Sequence, residues 1–492
     1  MTNGRLNRHQ RQIIKRIIIR GKLILDTPTC LGSGDAEGPT DLMLMRDSIT
    51  PHALLTGTSI AGALRNYLHD YENGYGKEEK SDSLTTYLFG AKQKDENGDQ
   101  SPLIINDSIS SEMPKVELRD GVKINSITGI AEDKAKYDLE FLVEGTEFPL
   151  AFELIVEKDK HQDENRLLSA LTIILEGLKN GEIRIGMKKR RGFGRCYVSD
   201  WQIWQFDLKK SQDRIAWLKF DREYISNFQE YKISNLVKQE QKELNTKNFP
   251  DKRQTFTMEV TFKLVGSLLI RSSQFSDEAV PDVVHLKSSR NGKEENILSG
   301  TSLAGVLRHR AEKIVKTVGN NQKIIKDIFG TEKDNENPNS SRLLVEESVI
   351  KNVNELVQNR IAIDRFTGGA FHGALFDEQP IFAKEENGKE ETCVTLNLEL
   401  RQPKDAEIGL LLLLLKDLWA SDLPVGSESS IGRGRLAGII AEMSLKISGK
   451  DKKTWMISQN GERLKISNAK KLESFVYSFV KEVQEGFNQV KS

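Results

Sequence analysis

The chain has 492 residues, enough for two large domains or about three ordinary ones. Hydrophobic residues at 37% and charged residues at 29% exclude a disordered chain. A net charge of zero, from 72 basic and 72 acidic residues, argues against a non-specific nucleic-acid coat but leaves room for a local basic groove. Cys30, Cys196 and Cys393 lie far apart, with neither disulfide nor metal spacing, so a reducing, cytoplasmic compartment is expected. The longest apolar run, Ile408 to Leu415, is too short to cross a bilayer, and no membrane partner is expected. Arg5, Arg8, Arg11, Lys15 and Arg16 are interrupted by isoleucines, which reads as no signal peptide.

In chain order, an apolar strand at Ile13 to Leu25 leads to a polar loop carrying Asp41. A helix then opens at Thr58 inside Gly57-Thr58-Ser59-Ile60-Ala61-Gly62-Ala63-Leu64-Arg65. Two strands and a long excursion follow. A helix at Leu167 to Leu178 then runs into the basic loop Gly186-Met187-Lys188-Lys189-Arg190-Arg191-Gly192-Phe193-Gly194-Arg195 and a last strand. Residues 206–254 are rich in lysine and glutamate, with Ile215, Leu218, Tyr224 and Ile225 at mixed spacing, and read as a helical linker with one sticky face.

The series then restarts. A strand at Thr257 to Ile270 ends beside Arg271, and a loop carries Asp282. Gly300-Thr301-Ser302-Leu303-Ala304-Gly305-Val306-Leu307-Arg308 repeats the earlier nine residues. Leu88-Phe89-Gly90 returns as Ile328-Phe329-Gly330, and Asp107-Ser108 as Glu347-Ser348. Ile127-Thr128-Gly129 returns as Phe366-Thr367-Gly368, and Gly192 to Arg195 as Gly432-Arg433-Gly434-Arg435. The spacing stays at about 240 residues throughout. Five separated landmarks at one spacing define a duplication: residues 1–205 and 255–445 are the copies, and 446–492 a helical extension. Strands and helices without strict alternation indicate α+β domains with an antiparallel sheet.

Hydroxyls and backbone N–H groups at a helix start stabilise an anion, and glycines let a backbone approach a phosphate that neighbouring cations neutralise. Gly57, Thr58, Ser59 and Arg65, with Gly300, Thr301, Ser302 and Arg308, are therefore candidate phosphate contacts. So are Lys188, Lys189, Arg190, Arg191, Gly192, Gly194, Arg195, Arg271, Gly432, Arg433, Gly434 and Arg435. An ordinary N-cap and a solvated turn are the plainer alternatives. Neither glycine loop ends as a Walker A, and Arg195 stands where an RNP1 strand needs an aromatic, so RRM-type stacking on the sheet is not expected. No histidine recurs between copies, which disfavours shared histidine acid–base chemistry.

On these residues, and on Ile361-Ala362-Ile363-Asp364-Arg365-Phe366-Thr367-Gly368-Gly369-Ala370, the chain resembles the RAMP superfamily. Within it, the likeness is to backbone subunits of type III CRISPR effectors, with two subunits fused as in some type III-D systems. The resemblance implies RRM-like, ferredoxin-like palms holding a CRISPR guide RNA. It also implies thumb hairpins, at about 123–137 and 361–376, that splay the guide–target duplex with Ile127, Thr128, Phe366, Thr367 and Phe371. It further implies complementary target RNA and other type III effector subunits as partners. The family's catalytic aspartate corresponds to Asp41 and Asp282, acting with Mg²⁺ or Mn²⁺ while the target's own 2′-hydroxyl attacks. A purely structural guide-binding role and a metal-independent guide-processing ribonuclease remain as alternatives.

Overall fold

The computed structural model describes residues 12–34, 41–80, 82–91, 99–125, 127–158, 163–220, 249–272, 281–319, 321–331, 338–384, 391–461 and 463–491. In β1 (Ile13–Leu25), Ile17, Ile19, Leu23 and Leu25 alternate onto one face and are fully buried. Ile18 points the other way, so the strand is apolar on both faces and takes a central place in its sheet. The copy continues with α1 (Gly57–Asn73), β2 (Leu103–Ile105), β3 (Val116–Ile124), β4 (Ala131–Leu142), β5 (Glu147–Glu157), α2 (Glu164–Lys179) and β6 (Cys196–Asp207). The sheet runs β2-β5-β1-β6, all antiparallel, which is the ferredoxin-like order. β3 and β4 stand outside it as a long hairpin.

The sheet face bearing Ile18, Trp204 and Phe206 is closed by the linker. There α3 (Ser211–Leu218) lays Trp217, with Phe220 just beyond it, over those residues, and Arg16 stacks 4.7 Å from the Trp217 ring. The linker's expected sticky residues, Ile215 and Leu218, are instead exposed. Aromatics supply the larger apolar area and took that face. Tyr224 and Ile225 lie outside the described residues.

The second copy repeats the plan with β7 (Thr255–Val265), α4 (Gly300–Val318), β8 (Leu343–Val345), β9 (Gln358–Ile363), β10 (Ala370–Gln379), β11 (Cys393–Arg401), α5 (Asp405–Trp419) and β12 (Arg435–Lys446). Its sheet runs β8-β11-β7-β12, again antiparallel, with β9–β10 as the hairpin. The continuous strand expected from Thr257 to Ile270 is interrupted at Gly266, whose positive φ turns the chain so that Ser267 and Leu268 pair with Phe382 and Ile381. Each copy has its own core.

The extension is not helical throughout. β13 (Lys453–Asn460) and β14 (Arg463–Ile466) first widen the second sheet, and α6 (Ala469–Lys491) then packs on α5. Leu472, Phe475, Phe479 and Val483 are buried there. Gly409 lets the two helices close, since a Cβ on it would sit 2.2 Å from the Phe475 carbonyl oxygen. The Ile408–Leu415 run is thus one wall of a core.

The copies meet head to tail. The first copy's basic loop lies against the start of α4 and the edge of β8. Arg190 Nε donates to the Ser341 carbonyl at 3.1 Å, Arg191 Nη1 to that of Leu343 at 3.5 Å, and Arg184 pairs with Glu346. At the base of the first hairpin, Arg119 reaches Glu347 at 3.4 Å. Arg290 meets the same carboxylate at 2.8 Å, and Ser288 Oγ donates to Glu117 at 2.9 Å. From the linker's end, Arg253 stacks on Tyr67 and Tyr71 and bonds Glu182 of the first copy, while its partner Asp251 pairs with Lys446 of the second at 2.6 Å, strapping the copies together.

Candidate nucleic-acid interface

Both glycine loops are built structure, not slack turns. Gly186, Lys188, Gly192 and Gly194 have positive φ, and Gly426, Glu428, Gly432 and Gly434 repeat the same pattern. Each loop is bonded to its own first strand region. Met187 N donates to the Cys30 carbonyl and Gly194 N to that of Pro28, while Ser427 N donates to Leu269 and Gly434 N to Ser267. The aromatic of the first loop, Phe193, is 3% exposed and packs 4.5 Å from Phe141. It therefore offers no surface to a base.

What the loops present differs from the expectation that all their cations face phosphate. Lys189, Arg190 and Arg191 are turned onto the second copy, and burial pulls their pKa values down, that of Arg190 to about 10. Gly192 approaches the backbone of Glu347 so closely that a Cβ would meet its nitrogen at 2.4 Å. Arg433 is buried between Glu378 and Glu428 and also donates to Gln358. The residues left at the surface are Arg195, paired with Asp26, Arg271, paired with Glu428 at 2.8 Å, and Arg435. Lys188 stacks 3.9 Å over the Tyr137 ring.

The helix starts also split. Thr56 caps α1 by accepting from Ser59 N, and Gly57 N donates to Asp107 at 2.6 Å, so two of that tip's N–H groups are already engaged. Thr58 and Ser59 stay exposed. At α4, Ser299 caps Ser302 N, and Gly300 lies under the Arg191 carbonyl, where a Cβ would be 2.4 Å from its oxygen. Thr301 and Ser302 are half-buried. Arg65 is drawn to Glu79 at 2.6 Å and Arg308 to Glu312 at 3.2 Å. The tips thus offer hydroxyls at the surface more than an open ring of donors.

The two aspartates occupy equivalent ground. Asp41 Oδ2 accepts from Asp138 N at 2.8 Å, and Asp282 Oδ2 accepts from Asp377 N at 3.1 Å. Both loops run parallel to the hairpin's second strand there, through Leu42 beside Leu139 and Val283 beside Glu378. Each exposed carboxylate is therefore fixed at the foot of a hairpin. Those hairpins are longer than the 123–137 and 361–376 expected, because their strands extend down to the palm. Their tips carry bare apolar side chains: Ile127 is 86% exposed, Phe366 94%, and Ile130 and Phe371 more than half. Asn125 and Asp364 fold the tips by accepting from residues 127–128 and 366–367.

Sequence reasoning missed Asp138 and Asp377, although an acid recurs at the repeat spacing. In the first copy Asp138 also pairs in register with Asp120, and partial burial, Asp120 and Asp41 raise its pKa. Its Oδ1 is buried with no hydrogen-bond partner among the described residues, and Lys136 lies 3.9 Å away. In the second copy, Asn359 faces Asp377 instead. Among the described residues no three His, Cys, Asp or Glu side chains form a ready metal cage. The donor set fits a hard divalent ion that takes one or two carboxylates and draws its other oxygens from a phosphate.

Two ferredoxin-like palms in tandem, each with a hairpin over an acidic foot, define a duplicated domain of one class. The chain matches the RAMP superfamily over residues 22–197 and 261–437, one match per copy, and it belongs to that superfamily. It is also similar to the CRISPR system Cms endoribonuclease Csm3 of Streptococcus thermophilus, with 27% identity over 192 residues, covering 37% of this chain and 86% of that protein. No helix among the described residues is long and apolar enough to cross a membrane.

Proposed function

We propose that the chain is a guide-RNA-binding backbone subunit of a type III CRISPR ribonucleoprotein, and that it cuts complementary target RNA at the feet of its two hairpins. The observation that carries this is the repeated geometry of Asp41 on Asp138 and Asp282 on Asp377 beneath hairpins with bare apolar tips. The similarity to an endoribonuclease of a CRISPR system supports the same reading. Thr58, Ser59, Arg195, Arg271 and Arg435 are the surface groups best suited to the guide's phosphates, since exposed ion pairs exchange partners at little cost. Ile127, Phe366 and Phe371 act as wedges, stacking on bases they unpair.

A target strand kinked at the hairpin brings a ribose 2′-oxygen in line with its own 3′-phosphorus. The new bond is 2′-O to phosphorus, formed as the hydroxyl gives its proton to solvent; the bond to the 5′-oxygen breaks, and that oxygen leaves with a proton taken from solvent. Asp41 and Asp282, with Asp138 and Asp377 beside them, would hold Mg²⁺ or Mn²⁺, which offsets charge growing on the phosphate. The aspartates' bonds to the hairpin backbone keep their free oxygens aimed at one place, so orientation is set before the target arrives. A metal-independent histidine mechanism finds little support in the second copy. His285, just past Asp282, is buried, with Nδ1 accepting from Ile270 N and Nε2 against the Ile297 carbonyl. The test is the assembled complex with a complementary target in Mg²⁺. Asp41→Ala and Asp282→Ala should each remove one cut, and a single deoxyribose at a cut site should block that cut alone. Unchanged fragments from the double variant would leave a binding subunit without nuclease activity.

A further inference from the structure

We infer that Glu347, in the second copy, is a positioning residue for the cut at the Asp41 foot, whereas the Asp282 foot is held from within its own copy. The inference rests on the cleavage reading above and adds a dependence to it: the first cut needs the second copy in place.

Asp41 is fixed by the hairpin of β3 and β4. Its Oδ2 accepts from Asp138 N at 2.8 Å, and Asp138 on β4 pairs in register with Asp120 on β3. The two strands are anchored differently. On β4, Leu139 and Phe141 pack with Phe193 from the first copy's own loop, and Leu139 lies beside Leu42. Among the described residues β3 pairs with β4 alone, and Arg119, next to Asp120, ties it to the second copy. The Arg119 side chain is 7% exposed, with Nη2 3.4 Å from Glu347 and 2.8 Å from Glu117. Ser288 Oγ donates to Glu117 at 2.9 Å, and Arg290 lies 2.8 Å from Glu347 and 3.8 Å from Glu144. Charges therefore alternate from Glu117 through Arg119, Glu347 and Arg290 to Glu144, passing from the first copy to the second and back.

Two features mark this cluster as a device for position more than for stability. Arg119 Nη1 and Glu347 Oε1 are buried with no hydrogen-bond partner among the described residues. A buried ion cluster gains little over apolar packing of the same volume, but it fixes one register. Asp107, at Glu347's place in the first copy, instead accepts from Gly57 N at the start of its own helix. The acid turns outward only where a neighbouring hairpin lies opposite it.

The second foot is held otherwise. Gln358 stands at the place of Arg119 and Glu378 at that of Leu139, and Arg433 from the same copy's loop bonds both, Gln358 at 2.9 Å. Arg360 adds a bond to Glu378 at 2.7 Å. β9 and β10 also continue through Val283–His285 to Arg271–Ser272 as a four-stranded sheet. Both strands of that hairpin are clamped by their own copy.

The test uses the full chain in the assembled complex. At saturating target, Glu347→Gln should slow the cut at the Asp41 foot by about tenfold or more, the scale of a small misplacement of reacting groups. The half-saturating target concentration and the cut at the Asp282 foot should not change. Arg119→Gln, which gives β3 the second copy's residue and leaves Glu347 with Arg290, should produce the same selective loss. The second cut in each reaction reports that the variant is folded and assembled. Amide exchange on the chain without RNA reads the clamp separately: Glu347→Gln should lower protection at Asp138 N and leave Asp377 N as in the parent. An unchanged first cut overturns the inference. So do both cuts falling together, or both amides losing protection alike, since a merely structural role would give that pattern. A parent complex that cuts nowhere sinks the cleavage reading instead, and the exchange data then decide the clamp on their own.

Discussion

The two copies share a backbone and differ in what they do with it. The first copy's loop spends Lys189, Arg190 and Arg191 on its neighbour; the second copy's loop, on the same dihedrals, carries Ser429, Ser430 and Ile431. The hairpin feet differ in the same manner. Asp41 lies beside Asp138, which faces Asp120, whereas Asp282 lies beside Asp377, which faces Asn359. Glycines and buried aliphatics hold the scaffold in both copies, and a few side chains on it decide what each surface meets.

The largest effect is expected from removing the aspartates. Asp41→Ala and Asp282→Ala should lower cleavage at their own sites by about a hundredfold or more, the scale of losing one charge-stabilising group, while guide binding is unchanged. Gel mapping of target fragments reads both. Next comes the internal joint. The Glu347 side chain, 2% exposed, lies between Arg119 and Arg290, so Glu347→Ala strands two buried cations and should cost about 3 kcal/mol by denaturant titration. Glu346→Ala, in the half-buried pair with Arg184, should cost less.

Acid should separate the copies. Burial lowers the His285 pKa to about 4, and its counterpart in the first copy, Leu44, does not titrate. Above the unfolded pKa near 6.5 the imidazole is neutral in both states and contributes no pH dependence. As pH falls from there to about 4 the unfolded chain takes up the proton first, and the second copy loses up to about 3 kcal/mol. Hydrogen exchange at pH 7 and pH 4.5 should show β7, α4 and β12 losing protection ahead of β1, α1 and β6. The smallest structural effect belongs to the hairpin tips: Phe366→Ala, at a side chain 94% exposed, should leave melting unchanged while altering cutting at the second foot.

Much of this was legible in the residues. β1 ran between its expected ends because Ile17, Ile19, Leu23 and Leu25 alternate, with only Gly21 between them, and the duplication could be read from its recurring glycines, which mark backbone shapes few other residues adopt. The aspartates were located through family resemblance, and their bonds to the hairpins only through tertiary structure. What could not be read was which cations face outward. Lys-Lys-Arg-Arg reads as a phosphate clamp until a second copy is packed against it, and burial depends on contacts about 150 residues away in sequence. The contrast between a basic loop in one copy and a serine-rich loop in the other was the available signal. The C-terminal hairpin was missed because Lys453 to Ile466 is polar and short, as an edge strand's residues often are.

The most direct measurement is the fragment pattern from one complementary target in Mg²⁺, compared across Asp41→Ala, Asp282→Ala and the unmodified chain in the assembled complex. The account predicts two cuts in the unmodified complex, with a different one missing in each variant and both restrained by EDTA. Cuts that persist at both places in both variants, or that survive removal of divalent ions, would contradict it.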